Sequence, residues 1–305
     1  MTLRNLTRES RPLRDPILIA AFEGWNDAGD AASDAVEYLE LIWDAEPLAE
    51  IDPDDYYDYQ VNRPTVRLVS GVSRELDWPT TRLSVCRPPG SERDVILLRG
   101  IEPNLRWKAF CRELIDATDD LGVATVIMLG ALLADTPHTR PVPVSGTAYS
   151  AEAAKIYNLE QTKYEGPTGI IGVLQDECVR HGIPAVSFWA AIPHYVSQPP
   201  NPKGTVALLR RVEDVLDIEV PLGELPSQAE EWEQSITEMA SEDEEIADYV
   251  RALEERGDAE DDLGELMSKI DGEQIAHEFE RYLRRRGPRG HGGHGGSGNP
   301  GGFSL

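Results

Sequence analysis

The sequence predicts an α/β protein: a three-layer α/β/α sandwich with a mostly parallel sheet, followed by a helical, acidic C-terminal appendage. Three observations predict it. Continuous apolar runs of strand length, PILIAAFE at 16–23 above all, read as strands buried on both faces. These runs alternate with segments whose apolar residues recur at helical spacing, the pattern of parallel strands joined by crossover helices. Beyond Pro221 no strand-like run follows, while helical periodicity persists among many carboxylates.

The elements follow in order. After the strand 16–23, bounded by Pro16 and Gly24, a helix capped by Asn26 or Asp27 is predicted, with Ala28, Ala32, Ala35, Leu39 and Ile42 on one stripe. Strands are predicted at 46–60, 65–69, 81–87 and 94–99. A helix over 104–121, ended by Gly122, leads into the strand VATVIMLGAL at 123–132. The proline-punctuated segment DTPHTRPVPVSG at 135–146 cannot be helical and is long enough for a functional loop. Helices at 150–157 and 169–181 precede the buried strand IPAVSFWAAI at 183–192. The helix 202–217, striped by Val206, Leu209, Val212 and Leu216, completes the core. Further stripes run through Trp232, Ile236 and Met239, then Ile246, Tyr249, Val250 and Leu253, then Ile275, Phe279, Tyr282 and Leu283. The organisation is therefore an N-terminal extension (1–15), an α/β/α core (16–222), an acidic helical region (223–286) and a glycine-rich tail (287–305) expected to be disordered.

Composition excludes several classes. A formal charge of −26 over 305 residues argues against nucleic acid and anionic membranes, which need clustered cations. The one basic cluster, Arg284 to Arg286 and Arg289, lies at the end of a predicted helix, where cations suit the dipole. No apolar window is long enough to span a bilayer, and the N-terminus has no apolar leader segment, so a cytoplasmic location is expected. Cys86, Cys111 and Cys178 form no CxxC pair and are expected to be buried and reduced.

Gly24 and Gly29, in GWNDAGDA, have the glycine spacing of a P-loop, yet the places of its lysine and hydroxyl hold Asp30 and Ala31. Carboxylates at a helix N-terminus repel the phosphate that a P-loop attracts. The segment therefore reads as a tight turn with Asp27 and Asp30 as built-in capping anions.

Ligands of parallel sheets bind at the carboxyl ends of strands. Four polar segments fall there: Glu23 to Asp27, Gly100 to Asn104, Pro137 to Pro141, and Ile192 to Tyr195. They make Glu23, Asp27, Glu102, Arg140 and Tyr195 candidate pocket residues, since carboxylates and a histidine support acid/base chemistry and an arginine clamps anions. His138 and His194 are candidate ligands of a divalent metal. One such residue on a symmetry axis is repeated in every subunit, with Asp135 as carboxylate partner for His138 and Glu102 as an oxygen donor. The structural alternative is that His138 hydrogen-bonds its own loop backbone, and that reading takes precedence over ligation. The tryptophans Trp107, Trp189 and Trp232 fall at core-like positions, His181 reads as a helix-end cap, and Ser145 and Ser187 have no base arranged beside them.

Taken together, AFEGWNDAGDAASDAVEYL, GIEPNLRWKAF, PHTRP and IPHY, in that order and followed by a helical C-terminal region, resemble the proteasome assembly chaperone 2-like family in its actinobacterial branch, over about residues 15–285. The resemblance implies a fold similar to nucleoside phosphorylases and symmetric oligomers, with a trimer favoured. It implies no particular activity; eukaryotic relatives assist proteasome assembly. Two functions follow as expectations. The first is a non-enzymatic homo-oligomeric scaffold or assembly factor that engages a protein partner through its C-terminal helices and carries a divalent-metal site on its axis. The alternative is a hydrolase or phosphorylase-like enzyme acting on a nucleoside or similar small molecule, with Glu102 or Asp27 beside His138 or His194.

Overall fold

A computed structural model of the chain describes residues 3, 4, 12–69 and 71–257. The predicted helix around 275–283, the basic cluster and the glycine-rich tail lie outside the described residues. In chain order the elements are β1 (Leu3–Arg4), β2 (Ile17–Glu23), α1 (Ala31–Ile42), β3 (Glu46–Ile51), β4 (Thr65–Val69), β5 (Ser73–Asp77), β6 (Thr81–Cys86), β7 (Val95–Ile101), α2 (Trp107–Leu121), β8 (Thr125–Ala134), β9 (Val144–Ala148), α3 (Ala151–Tyr157), β10 (Glu160–Gln161), α4 (Ile170–Arg180), β11 (Ala185–Pro193), α5 (Pro202–Leu216), α6 (Leu225–Ser241) and α7 (Glu244–Gly257).

One large sheet has the order β1-β3-β6-β7-β2-β8-β11-β9-β10. Its centre, β7-β2-β8-β11, is parallel. The flanks are mixed: β1, β3, β6 and β7 pair antiparallel in turn, as do β9 and β11, while the edge pair β9–β10 is parallel. The expectation of a mostly parallel sheet thus holds for the strands that read as continuous apolar runs, because only those are covered on both faces.

The three layers follow from the pleat. Ile17, Ile19 and Ala21 point to one side and pack with Ala32, Ala35 and Leu39 of α1 and with Leu208 and Val212 of α5. Leu18, Ala20 and Phe22 point to the other and pack with Phe110 and Leu114 of α2 and with Ile170 and Leu174 of α4. Alternation by one residue across a doubly buried strand is what divides the core in two.

Several local readings are corrected. The strand expected over 46–60 stops at Ile51, because Pro53 opens a 3-10 turn in which the Asp52 carboxylate accepts from the Asp54 amide. The run 65–69 is a strand, but it pairs with β5 in a separate two-stranded hairpin. The helix expected from residue 104 begins at Trp107, after Arg106 turns into the left-handed region. Trp107, Trp189 and Trp232 are half-buried; the buried tryptophan is Trp43. The C-terminal region packs on the core: Ala229, Ile236 and Ala240 of α6 and Val250 and Leu253 of α7 are buried.

Candidate functional site

The carboxyl ends of β2, β7, β8 and β11 lie along one edge of the sheet, yet their polar residues separate into distinct groups. At the end of β2, the turn 28–30 carries Gly29 at φ +65°, where a side chain would meet the Asn201 Cβ. Asp30 follows in the left-handed region and makes no side-chain cap bond. Capping falls to Asp27 alone, which reaches past the turn to accept from the amides of Ala32 (2.6 Å) and Ser33 (2.9 Å) and from the Ser33 hydroxyl. Burial pushes the Asp27 carboxyl up to about 7 against the pull of those donors. The expectation that Asp27 and Asp30 both cap α1 is corrected accordingly.

Glu102 forms the second group. Its Oε1 accepts from Asn26 Nδ2 (2.7 Å) and from the Ile170 amide (2.8 Å) at the start of α4. Burial raises its carboxyl and those two bonds lower it. This carboxylate is a structural anchor joining the β2 turn to α4. Glu23 stands in a third group, 4.0 Å from Arg99, which also meets Glu37 at 3.3 Å and Glu40 at 3.4 Å.

The fourth group joins the PHTRP loop to the end of β11. The His138 amide donates to the Tyr195 hydroxyl (2.8 Å), which also lies 2.8 Å from His138 Nδ1. Thr237 Oγ1 gives its own proton to the Glu233 carbonyl (2.9 Å), so it accepts from His138 Nε2 (3.0 Å), which puts the ring proton on Nε2 and leaves Nδ1 to accept from the Tyr195 hydroxyl. Burial holds the imidazole below its ordinary value and neutral, in keeping with this order of donors. Lys203 ties the His138 carbonyl to the Glu233 carboxylate, and Thr139 bonds Glu254 of α7. His194 Nδ1 lies 3.4 Å from Asp135 Oδ1, which accepts from the Tyr249 hydroxyl at 3.1 Å. Tyr249 packs edge-on against both His194 and Tyr195.

The α6–α7 pair thus closes over the strand-end loop and supplies partners that sequence reasoning missed. Thr237 and Glu254 gave no signal. Tyr249 stood on an apolar stripe, where its hydroxyl was silent. Of the seven candidates, His138, Tyr195 and His194 come together, while Glu23, Asp27 and Glu102 lie in separate groups and Arg140 is exposed. Among the described residues, no group of three or more His, Cys, Asp or Glu is placed to hold a metal ion. Ser187, singled out in the sequence, bonds Thr147 and Trp189 rather than a histidine or carboxylate, and the three buried thiols are pushed up to about 12. His181 behaves as expected, its Nδ1 bonding the Glu177 carbonyl at a helix end. Beside the loop, Thr139, Val142, Val206, Ala229 and Glu230 line an open groove of about 650 Å³ between α5 and α6.

No helix among the described residues is long and apolar enough to cross a membrane. The model of the PAC2 family matches residues 21–240. A proteasome-assembly chaperone homologue from Mycobacterium tuberculosis is 67% identical, with a TM-score of 0.70 over 77% of this chain and 99% of that one. A PAC2 family protein from Streptomyces avermitilis is 59% identical, with a TM-score of 0.73 over 77% and 100%. The archaeal proteasome activator PbaB of Pyrococcus furiosus, 18% identical with a TM-score of 0.60 over 76% and 96%, shares the fold. No curated protein matches the chain. A family match over most of the chain, supported by relatives at these identities, settles the affiliation: this chain belongs to the PAC2 family.

Proposed function

We propose that this chain is a non-enzymatic, cytoplasmic, oligomeric assembly protein, a trimer by preference, whose partner is a proteasome-type subunit engaged through the outer face of α6 and α7. The observation that carries this reading is the closed strand-end site. Both ring nitrogens of His138 are spent on Tyr195 and Thr237, so the residue best placed for acid/base chemistry serves to hold the C-terminal helices. Those helices then present an acidic outer face that includes Glu231, Glu238 and Glu245. The likeness to a proteasome-assembly chaperone homologue supports the class of partner.

Purified proteasome α and β subunits, mixed with the full chain, test the proposal by native electrophoresis. Wild-type protein should form a complex or speed ring formation, and Glu231→Lys, Glu238→Lys and Glu245→Lys combined should weaken that effect while leaving the thermal midpoint within a few degrees. Absence of any complex or rate effect with wild-type protein overturns the reading. Turnover of nucleosides by hydrolysis or phosphorolysis, lost in Glu102→Gln, would favour the enzyme reading instead.

A divalent metal on an oligomer axis is the second reading, and one observation favours it. The buried His194 Nδ1 has no hydrogen bond, and Asp135 lies beside it. Near-stoichiometric uptake of zinc per oligomer, lost in His194→Ala, is the expected result. Protein that stays metal-free after incubation with zinc or nickel refutes it.

A further inference from the structure

The β4–β5 hairpin stands outside the main sheet, and two-stranded hairpins are marginal unless a face is packed. Six of the twelve exposed large apolar side chains of the described residues fall between Val61 and Trp78. Register sorts the hairpin itself into two faces. Val66 lies opposite Leu76 and Leu68 opposite Arg74, so these four share one face. Arg67, Glu75 and Asp77 share the other, where Arg67 pairs with both carboxylates. The ionic face is satisfied within the hairpin. The apolar face is not: Val66, Leu68 and Leu76 are 57%, 64% and 54% exposed, and Arg74 makes no ion pair among the described residues.

The surface that would complement an apolar patch with one cation is apolar with an excess of carboxylate. This chain carries such a surface. Leu41 of α1, at 73% exposure, lies one helical turn from exposed Glu37. Asp30, Asp34 and Glu37 crowd the same helix, and the Asp34 carboxyl is pushed up to about 6 by burial and by its two acidic neighbours. In a chain of charge −26, a hairpin segment whose arginines Arg63, Arg67 and Arg74 outnumber Glu75 and Asp77 is locally of opposite sign to the rest.

We propose that the apolar face of the β4–β5 hairpin is an intersubunit arm that docks on the Leu41–Glu37 face of α1 in a second copy of this chain, with Arg74 meeting Glu37. The two patches differ, so the contact is heterologous, and it builds a ring when the rotation between copies closes. The inference rests on the oligomeric reading above and names the surface that makes it.

Size-exclusion chromatography with light scattering on the full chain tests it, with thermal unfolding to confirm that each variant folds. Wild-type protein should run as a closed oligomer. Arg74→Glu and Glu37→Arg should each shift it towards monomer, and the two together should restore the oligomer. Because Glu37 also meets Arg99, Leu41→Ser and Leu68→Ser provide a second pair that should each dissociate the ring. A wild-type oligomer untouched by Arg74→Glu and Leu68→Ser overturns the arm and leaves the oligomeric reading standing. Dissociation by the hairpin variants alone, with Leu41→Ser and Glu37→Arg silent, overturns the pairing with α1. A wild-type monomer at micromolar concentration overturns both.

Discussion

Asp27→Asn is the substitution on which the structure bears most directly. The folded Asp27 carboxyl titrates at about 7, against an ordinary value of 3.8, because burial outweighs the donors from Ala32 and Ser33. A raised carboxyl makes the folded state bind a proton that the unfolded chain has released. Its contribution is therefore fully present below about pH 4 and is lost as pH rises through 7. Across that window about three pH units at 1.36 kcal/mol each amount to about 4 kcal/mol of stability, or roughly 8–16 °C in the unfolding midpoint of a domain this size. The asparagine side chain cannot titrate. Its amide also turns a donor towards the Ser33 or Ala32 amide, leaving one buried donor unmet at about 1–3 kcal/mol. Thermal unfolding should thus place the variant below wild type at pH 4 and level with it or above it at pH 8. Glu23 and Glu102 are also raised, and Asp34 to about 6, so a weaker slope of the same sign remains. A wild-type midpoint that rises with pH over this window, or a slope unchanged by Asp27→Asn, refutes the reasoning.

Two further outcomes are expected. Thr237→Val keeps the side-chain shape but leaves the buried His138 Nε2 proton without an acceptor, at about 1–3 kcal/mol, so the amides of α6 and α7 should exchange faster with solvent while those of β2 and β8 do not. Unchanged exchange in both helices would show that the His138 bond does not hold them. Gly29→Ala puts a side chain at φ +65° with its Cβ 2.8 Å from the Asn201 Cβ. Left-handed strain of about 1–2 kcal/mol and overpacking of about 1–3 kcal/mol should lower the urea midpoint clearly, and a loss under about 0.5 kcal/mol would contradict that contact.

Much of the architecture was legible in single runs of sequence. PILIAAFE, VATVIMLGAL and IPAVSFWAAI are strands, and the helical stripes at 31–42, 107–121 and 202–216 are helices, because burial on two faces or one stripe writes itself into local periodicity. The overlong strand at 46–60 shows the limit. Apolar Tyr56 and Tyr57 continue the pattern of a strand, yet Pro53 and the Asp52 side chain turn the backbone before the pattern ends. The strands β5, β9 and β10 left no apolar run to find, since exposed or half-buried strands have no core face to encode.

What the sequence determined by itself is therefore the layered core and a capping carboxylate in the turn at the head of α1, since strand and helix periodicity and a cap are all written in local runs; that the cap is Asp27 and not Asp30 was decided by the folded turn. What only the tertiary structure decided is the company each polar strand end keeps. Glu102 meets Asn26 and the start of α4, and His138 meets Tyr195 and Thr237, across separations of 76, 68, 57 and 99 residues. A hydrogen bond between distant residues leaves no periodic trace. It exists because the sheet brings four strand ends to one edge and the α6–α7 pair folds back over them, so its members are known only once the chain has closed.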